Sequence, residues 1–375
     1  MTRKSWVVLA TVLIVGLSGL MTAAGAAEPV PPVNQSLPTI SGTAKVGQAL
    51  AAAPGSWLPA AESYAYSWWR DGTAIAGAAG SSYRLVEGDL ARRISVRVVA
   101  TGTDGGVSAP ATSLPTAAVQ AGVLVAKAAP TISGVRRWGR TLTAAPGTWS
   151  PRPTALAYRW LRDGRPIKGA VHPTYRLVVA DFGARIKVRV VARRAAYANG
   201  TATSPATGLI DHRVGVKRRY TYSIATRGRI TANLETFTRL AAASYADPRG
   251  WRSAGYQFRQ VARGGDFTLV LSSAAKVPSF GAPCSSTWSC RVGRYVIINQ
   301  TRWQHASPAW NAAGRPLRDY RHMVLNHETG HWLGHWHSSC PGKGRLAPIM
   351  MQQSKGLNGC RFNPFPLPSE RWTSR

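Results

Sequence analysis

Acidic side chains are scarce in this chain: 15 Asp and Glu stand against 47 Lys and Arg in 375 residues, a formal net charge of +32. The shortage excludes whole classes of chemistry. Structural calcium needs clustered oxygen ligands, and the acids after residue 211 (Glu235, Asp247, Asp266, Asp319, Glu328 and Glu370) form no cluster in sequence, so no calcium site is expected. A hydrolase built on paired carboxylates is excluded on the same ground, and no Ser/His/Asp order competes. Cysteine is also rare. None of the four precedes Cys284, and no close CxxC pair occurs, which argues against a zinc knuckle. Beyond the N-terminus there is no second apolar run of membrane-spanning length. No nucleic-acid recognition motif accompanies the basic charge, so a nucleic-acid partner is not expected.

What is present begins with Arg3 and Lys4, the apolar run WVVLATVLIVGLSGL and the small residues TAAGAA. These read as a signal peptide over residues 1–27, with cleavage near Ala24 to Ala27. An uncleaved N-terminal anchor is the alternative. The rest of the chain is therefore expected outside the cell, secreted or associated with the cell wall. Cys284, Cys290, Cys340 and Cys360 form an even set, as an oxidising compartment allows. Four cysteines permit three pairings; proximity favours Cys284 with Cys290 and Cys340 with Cys360. The positive charge is uneven, with 14 basic against 2 acidic residues from Pro130 to Ile210 but 6 against 5 from Pro38 to Gln120. Such an excess would draw the chain to an anionic polymer of the cell wall, or it is a solvated Arg-rich surface.

After a linker over residues 28–37, PTISGTAKVGQALAAAPGSW from Pro38 returns as PTISGVRRWGRTLTAAPGTW from Pro130. The offset of 92 residues persists without a gap: Trp57 maps to Trp149, Trp68 to Trp160, Tyr83 to Tyr175, Asp89 to Asp181 and Ile94 to Ile186. RISVRVVA and RIKVRVVA alternate as half-buried strands do, and turn residues recur at short intervals. Residues 38–121 and 130–210 thus read as antiparallel β-sandwiches, each with a tryptophan as core plug. They resemble the bacterial immunoglobulin-like modules found in tandem on secreted and surface proteins. Their expected role is that of a spacer, with ligand binding the alternative.

Beyond Ile210 the pattern changes. YTYSIAT, FTLVLSS and RYVIINQ read as strands, and Leu234, Phe237, Leu240 and Ala241 recur at helical spacing until Asp247 and Pro248. A second helix is expected from near Pro316, carrying Tyr320, Val324 and His331 along one side. It leads into NHETGHWLGHWH, Asn326 to His337. His327 and His331 lie one helical turn apart, about 40° in projection, so both imidazoles can reach one ion. Glu328 projects beside them, close enough to act as general base without being a ligand. Gly334 can end the helix by entering the left-handed region, and His337 can then return as third ligand. His335 competes for that position if the helix runs on. His305 and His322 read as ordinary polar residues, and Trp332 and Trp336 as packing that keeps the site dry.

The string His327, Glu328, His331, Gly334, His337 has the pattern HExxHxxGxxH, which resembles the extended zinc motif of the metzincin metallopeptidases. APIMMQQ, downstream, is similar to their methionine turn, with Met350 at the turn and Met351 as runner-up. Within that class residues 212–375 resemble an uncharacterised group of secreted actinobacterial domains with the same GHWLGH and PxMxQQ texture. The resemblance implies a multidomain chain in which two all-β immunoglobulin-like sandwiches precede an α+β zincin-type domain. It implies one catalytic zinc ion, a peptide or protein substrate, and YVIINQ as the sheet edge that pairs with that substrate. No tyrosine follows the methionine turn, and no cysteine-bearing propeptide motif precedes the domain.

The function expected is that of a secreted, monomeric zinc endopeptidase in which Glu328 moves the proton. A zinc hydrolase acting on a non-protein cell-wall substrate is one alternative. A surface-binding protein with a non-catalytic zinc site is the other.

Overall fold

Alternation of apolar residues sets the repeats. In the computed structural model, which describes residues 28–372, Ile94, Val96, Val98 and Ala100 face inward along one strand, and Ile186, Val188, Val190 and Ala192 do so along its counterpart. A side-chain period of two buries one face of each strand and leaves the other half exposed. The leader expected over residues 1–27 lies outside the described residues. Among those described, no helix is long and apolar enough to cross a membrane.

The first compact unit runs to Val123 and takes in Ala195–Ala198. Thr39–Ser41, Ala49–Ala53 and Ser82–Arg84 form one antiparallel sheet; Thr73–Ala74, Ala61–Arg70, Ile94–Gly102 and Ala111–Thr112 form another. Trp68 is fully buried in the core and donates its indole N–H to the Gly80 carbonyl at 2.9 Å. Asp89 is buried beside it, accepting from Arg70 Nε at 2.7 Å, the Tyr83 hydroxyl at 2.9 Å and the Val86 amide at 2.7 Å. Two boundaries differ from expectation. Residues 28–37 are not merely a linker, because Val33–Ser36 pairs with Ser56–Leu58. Tyr197–Ala198, expected in the second repeat, pairs with Gly122–Val123.

The second unit holds Leu124–Arg194 and everything from Asn199 onward. Its first part repeats the architecture just described. Trp160 is buried and donates to the His172 carbonyl, and Asp181 accepts from Arg162, Tyr175 and the Val178 amide at the same distances as its counterpart. The 92-residue offset thus preserves a whole buried hydrogen-bond set.

From Arg218 the chain forms a five-stranded sheet in the order Tyr256–Gln260, Arg218–Arg227, Phe267–Ser272, Tyr295–Asn299, Cys290–Val292. All neighbours are parallel except the last pair. Phe267–Ser272 is buried along nearly its whole length, which accounts for its continuous apolar run: parallel strands are covered on both faces. Tyr222, Phe237, Trp251, Phe267, Trp303 and Trp332 share one core with the helices Leu234–Ala246 and Leu317–Trp332. Val270, Val277, Cys290 and Ile297 form a smaller core. YVIINQ is therefore not an edge; Cys290–Val292 covers it, because the hairpin turn at Gly293 folds that strand back along its free side. The described residues are mostly β.

Candidate metal centre

Helix Leu317–Trp332 is buried on nearly every side from Tyr320 onward, so each polar group on it needs a partner. Tyr245 shares a 2.9 Å hydrogen bond with Thr329, Trp251 Nε1 donates to the Asn326 carbonyl at 2.9 Å, and Asn326 Nδ2 donates to the Pro364 carbonyl. Gly330 admits this packing. A Cβ there would collide with Met350 Sδ and come within 2.9 Å of the Trp251 ring.

The helix ends where expected. Gly334 takes a φ of 99°, and the amides of Leu333 and His335 cap the carbonyls of Thr329 and Gly330. The chain then turns back so that the candidate ligand atoms of His327, His331 and His337 all lie within 4.8 Å of one another. This is the grouping suited to a metal among the described residues. His327 Nδ1 donates to the Ile349 carbonyl at 2.7 Å, and His331 Nδ1 to the His335 carbonyl at 2.9 Å. Those bonds place the proton on Nδ1 and leave each Nε2 with its lone pair as an acceptor. His331 Nε2 faces His337 Nε2 at 3.1 Å.

Burial pushes the His327 imidazole down to about 3 and His331 to about 4, and lowers His337 as well, so all three are neutral at pH 7. Three neutral imidazoles converging on one point fit zinc, which takes such donors in sites that keep a position open. Glu328 is buried beside them, and burial alone pushes its carboxyl up to about 8. A cation at the histidines would draw that value back down.

These side chains line a cavity of about 770 Å³. Tyr320, from the same helix, reaches its wall with its hydroxyl 3.0 Å from Ser354 Oγ.

Met350 lies buried beneath the helix, in contact range of Gly330, whereas Met351 faces a separate small core with Cys360. His335 is no third ligand here. Its ring lies between Trp251 and Trp372, and its Nε2 donates to the Trp372 carbonyl at 2.7 Å. His322 is buried against Ser244. Trp332 packs in the core against Tyr220 and Phe267, but Trp336 is 86% exposed at the rim rather than packed, because it follows the break at Gly334. The favoured cysteine pairs are joined, Cys284 to Cys290 and Cys340 to Cys360.

Sequence reasoning passed over Glu370. It is buried, and its two oxygens accept the amides of Ile349 and Leu367 (Oε2) and of Met350 (Oε1) at 2.8–2.9 Å. Only its isolation among apolar and Pro-rich neighbours near the C-terminus hinted at it.

Residues 192–368 match the model of a family described as a protein of unknown function, DUF3152. No curated protein matches the chain. Among solved structures it is similar to three N-terminal domains of the highly immunogenic outer capsid protein of bacteriophage RB49, at 15% identity and a TM-score of 0.21, covering 52% of this chain and 65% of that one. It is also similar to the FN1–FN3 domains of chicken CNTN1, at 14% identity and a TM-score of 0.19 over 47% of this chain and 66% of that one. A third match is the amphioxus IgVJ-C2 molecule, at 17% identity and a TM-score of 0.22 over 48% and 98%. The chain spans just under two thirds of the length of the first two. These findings correct the assignment to the metzincin metallopeptidases. The family model that matches residues 192–368 is that of a different family. The α+β domain expected on that resemblance loses its family basis with it.

Proposed function

We propose that the region from residue 212 is a zinc-dependent hydrolase that cleaves peptide bonds. The observation that carries this reading is a buried carboxylate, Glu328, placed against three converging neutral imidazoles on the wall of an open cleft. A site that served only to hold the fold together would have no use for a proton acceptor there.

His327, His331 and His337 would hold the ion. Zinc, when bound, supplies Lewis acidity, lowering the pKa of water towards about 7 and polarising a carbonyl oxygen. The carbonyls of Ile349 and His335 fix the rings of His327 and His331, so the two lone pairs stay aimed without reorganisation. Glu328 takes a proton from the attacking water and passes it to the departing amine, restoring its own carboxylate. Its burial raises its proton affinity, which suits a group that must accept a proton and then release it near neutral pH. The protein is placed outside the cell on this reading, as its two disulfides fit an oxidising compartment.

The test compares the zinc-loaded chain with its Glu328→Ala variant, at equal zinc content, on a mixed peptide library. Cleavage should fall by about 10² to 10⁴ in the variant. Equal cleavage by both proteins, or cleavage that survives removal of zinc, would overturn the reading.

A further inference from the structure

Between Glu328 and Glu370 the chain has no acidic residue, and its four Lys and Arg side chains there are Lys343, Arg345, Lys355 and Arg361. All but Lys355 line one cavity of about 840 Å³, which shares no residue with the cleft of the histidines. The backbone that carries them is held in several places. Cys340 is joined to Cys360, the Gly344 amide donates to the Gly359 carbonyl at 2.8 Å, and the amides of Arg361 and Ala347 donate to the carbonyls of Arg345 and Arg361 at 2.7 and 2.8 Å. Lys343, Arg345 and Arg361 are all exposed, and among the described residues none of them forms an ion pair. Glu370, the next acid along the chain, has both oxygens taken by the amides of Ile349, Met350 and Leu367. The fold thus fixes like charges side by side, and an anion arriving from solution relieves their repulsion.

From this arrangement we infer that the cavity is a docking site for the phosphates of an extended, base-free phosphodiester polymer. The inference stands apart from the zinc site and from what that site cleaves. Phosphate suits the donors: an arginine fork meets two phosphate oxygens at once, and a lysine ammonium serves as a point charge beside it. Three separate cations exceed what one phosphodiester, with a single negative charge, can neutralise, so successive phosphates along one chain fit better than a lone ion. The exposure of all three leaves room for such a chain to cross the surface. A nucleic acid fits less well, since no aromatic side chain lines the cavity to stack a base. A membrane fits less well too, because Leu346 is the one large apolar side chain exposed in the lining, too little to enter the acyl region. Net charge alone does not account for the site. Arginines are spread over the chain, but here three cations are gathered at a disulfide-closed loop with no acid among them.

The test titrates the full chain with fluorescently labelled poly(glycerol phosphate) and repeats the titration with two triple variants. Lys343→Gln, Arg345→Gln and Arg361→Gln together should weaken binding about 10- to 100-fold at low salt. The slope of log affinity against log salt should also shrink by about 2, at about 0.7 for each lost phosphate contact on a single-stranded polyanion. Arg239→Gln, Arg259→Gln and Arg263→Gln together, an equal loss of charge at exposed positions outside the cavity, should leave affinity and slope unchanged. All six side chains are exposed, so both variants should melt as the parent does. Equal weakening in the two variants would reduce the effect to net charge and overturn the inference. Displacement of the polymer by inorganic phosphate at equal phosphate concentration would make the site one for a lone ion. Tighter binding of single-stranded DNA or of phosphatidylglycerol vesicles through the same three residues would replace the polymer by a nucleic acid or a membrane. A polyglutamate of equal charge that binds as tightly through them would remove phosphate from the argument.

Discussion

Glu370 offers the sharpest test of how the site is held. Its carboxylate accepts three amides, the buried ones of Ile349 and Met350 and the partly buried one of Leu367. The Ile349 carbonyl, in turn, fixes the His327 ring at 2.7 Å. Glu370→Ala leaves three donors unpaired, two of them in a buried space and the third partly open to water. At about 1–3 kcal/mol for an unsatisfied buried donor, reduced by partial relaxation, the loss should be about 3–5 kcal/mol. Glu370→Gln should cost less. Its single oxygen, turned to the Oε2 position, keeps two of the three bonds in weaker neutral form and sets an amide N–H₂ against the Met350 amide. About 1–3 kcal/mol is expected, since removing a charge from a buried place offsets part of the loss. Because the turn orients His327, zinc affinity should fall about 10- to 100-fold in the alanine variant, as for other groups that orient a metal ligand. Thermal unfolding of the zinc-free chain and competition for zinc with a chelating dye measure the two effects. An alanine variant with an unchanged melting transition and unchanged zinc affinity would refute the reasoning.

Three further outcomes are expected. His337→Ala should lose tight zinc binding while His335→Ala keeps it at reduced stability, because His335 is turned to Trp372; zinc stoichiometry of the two purified variants decides between them. In the zinc-free chain, the folded values of His327 and His331, about 3 and about 4, lie below their ordinary 6.5. The stability they confer is complete above pH 6.5 and is lost as pH falls through those values. Glu328 has the opposite sign: its value of about 8 lies above 4.5, so the stability tied to its proton is complete below pH 4.5 and is lost as pH rises through 8. A melting temperature that peaks between those limbs is expected, and a flat profile from pH 4 to 9 would count against the burial of these groups. Cys340 and Cys360 close a loop across 20 residues, so replacing both by serine should lower stability by about 3 kcal/mol, measured by denaturant unfolding at fixed zinc content.

Much of the fold was legible because it rests on local periodicity. Alternation in RISVRVVA and RIKVRVVA gave the sandwich strands, and the 92-residue offset gave their repetition. Leu234, Phe237, Leu240 and Ala241 marked one buried helix face. What escaped was set by partners distant in sequence. Val33–Ser36 looks like a linker until Ser56–Leu58 supplies its ladder, and YVIINQ looks like an edge until Cys290–Val292 folds back over it. The family resemblance was drawn from a short motif, and a match over the whole region pointed elsewhere.

For the site, the sequence by itself determined which histidines could meet: His327 and His331 share a helix face by the 3.6-residue period, and Gly334 lets the chain turn back toward them, with His337 or His335 to follow. It determined Glu328's place beside them for the same reason. The tertiary structure decided what surrounds that set. It turned His335 toward Trp372 and brought Glu370 under Met350. Helical spacing fixes angles within one segment, whereas these contacts join residues 20 and 37 positions apart, whose meeting depends on how the whole core packs.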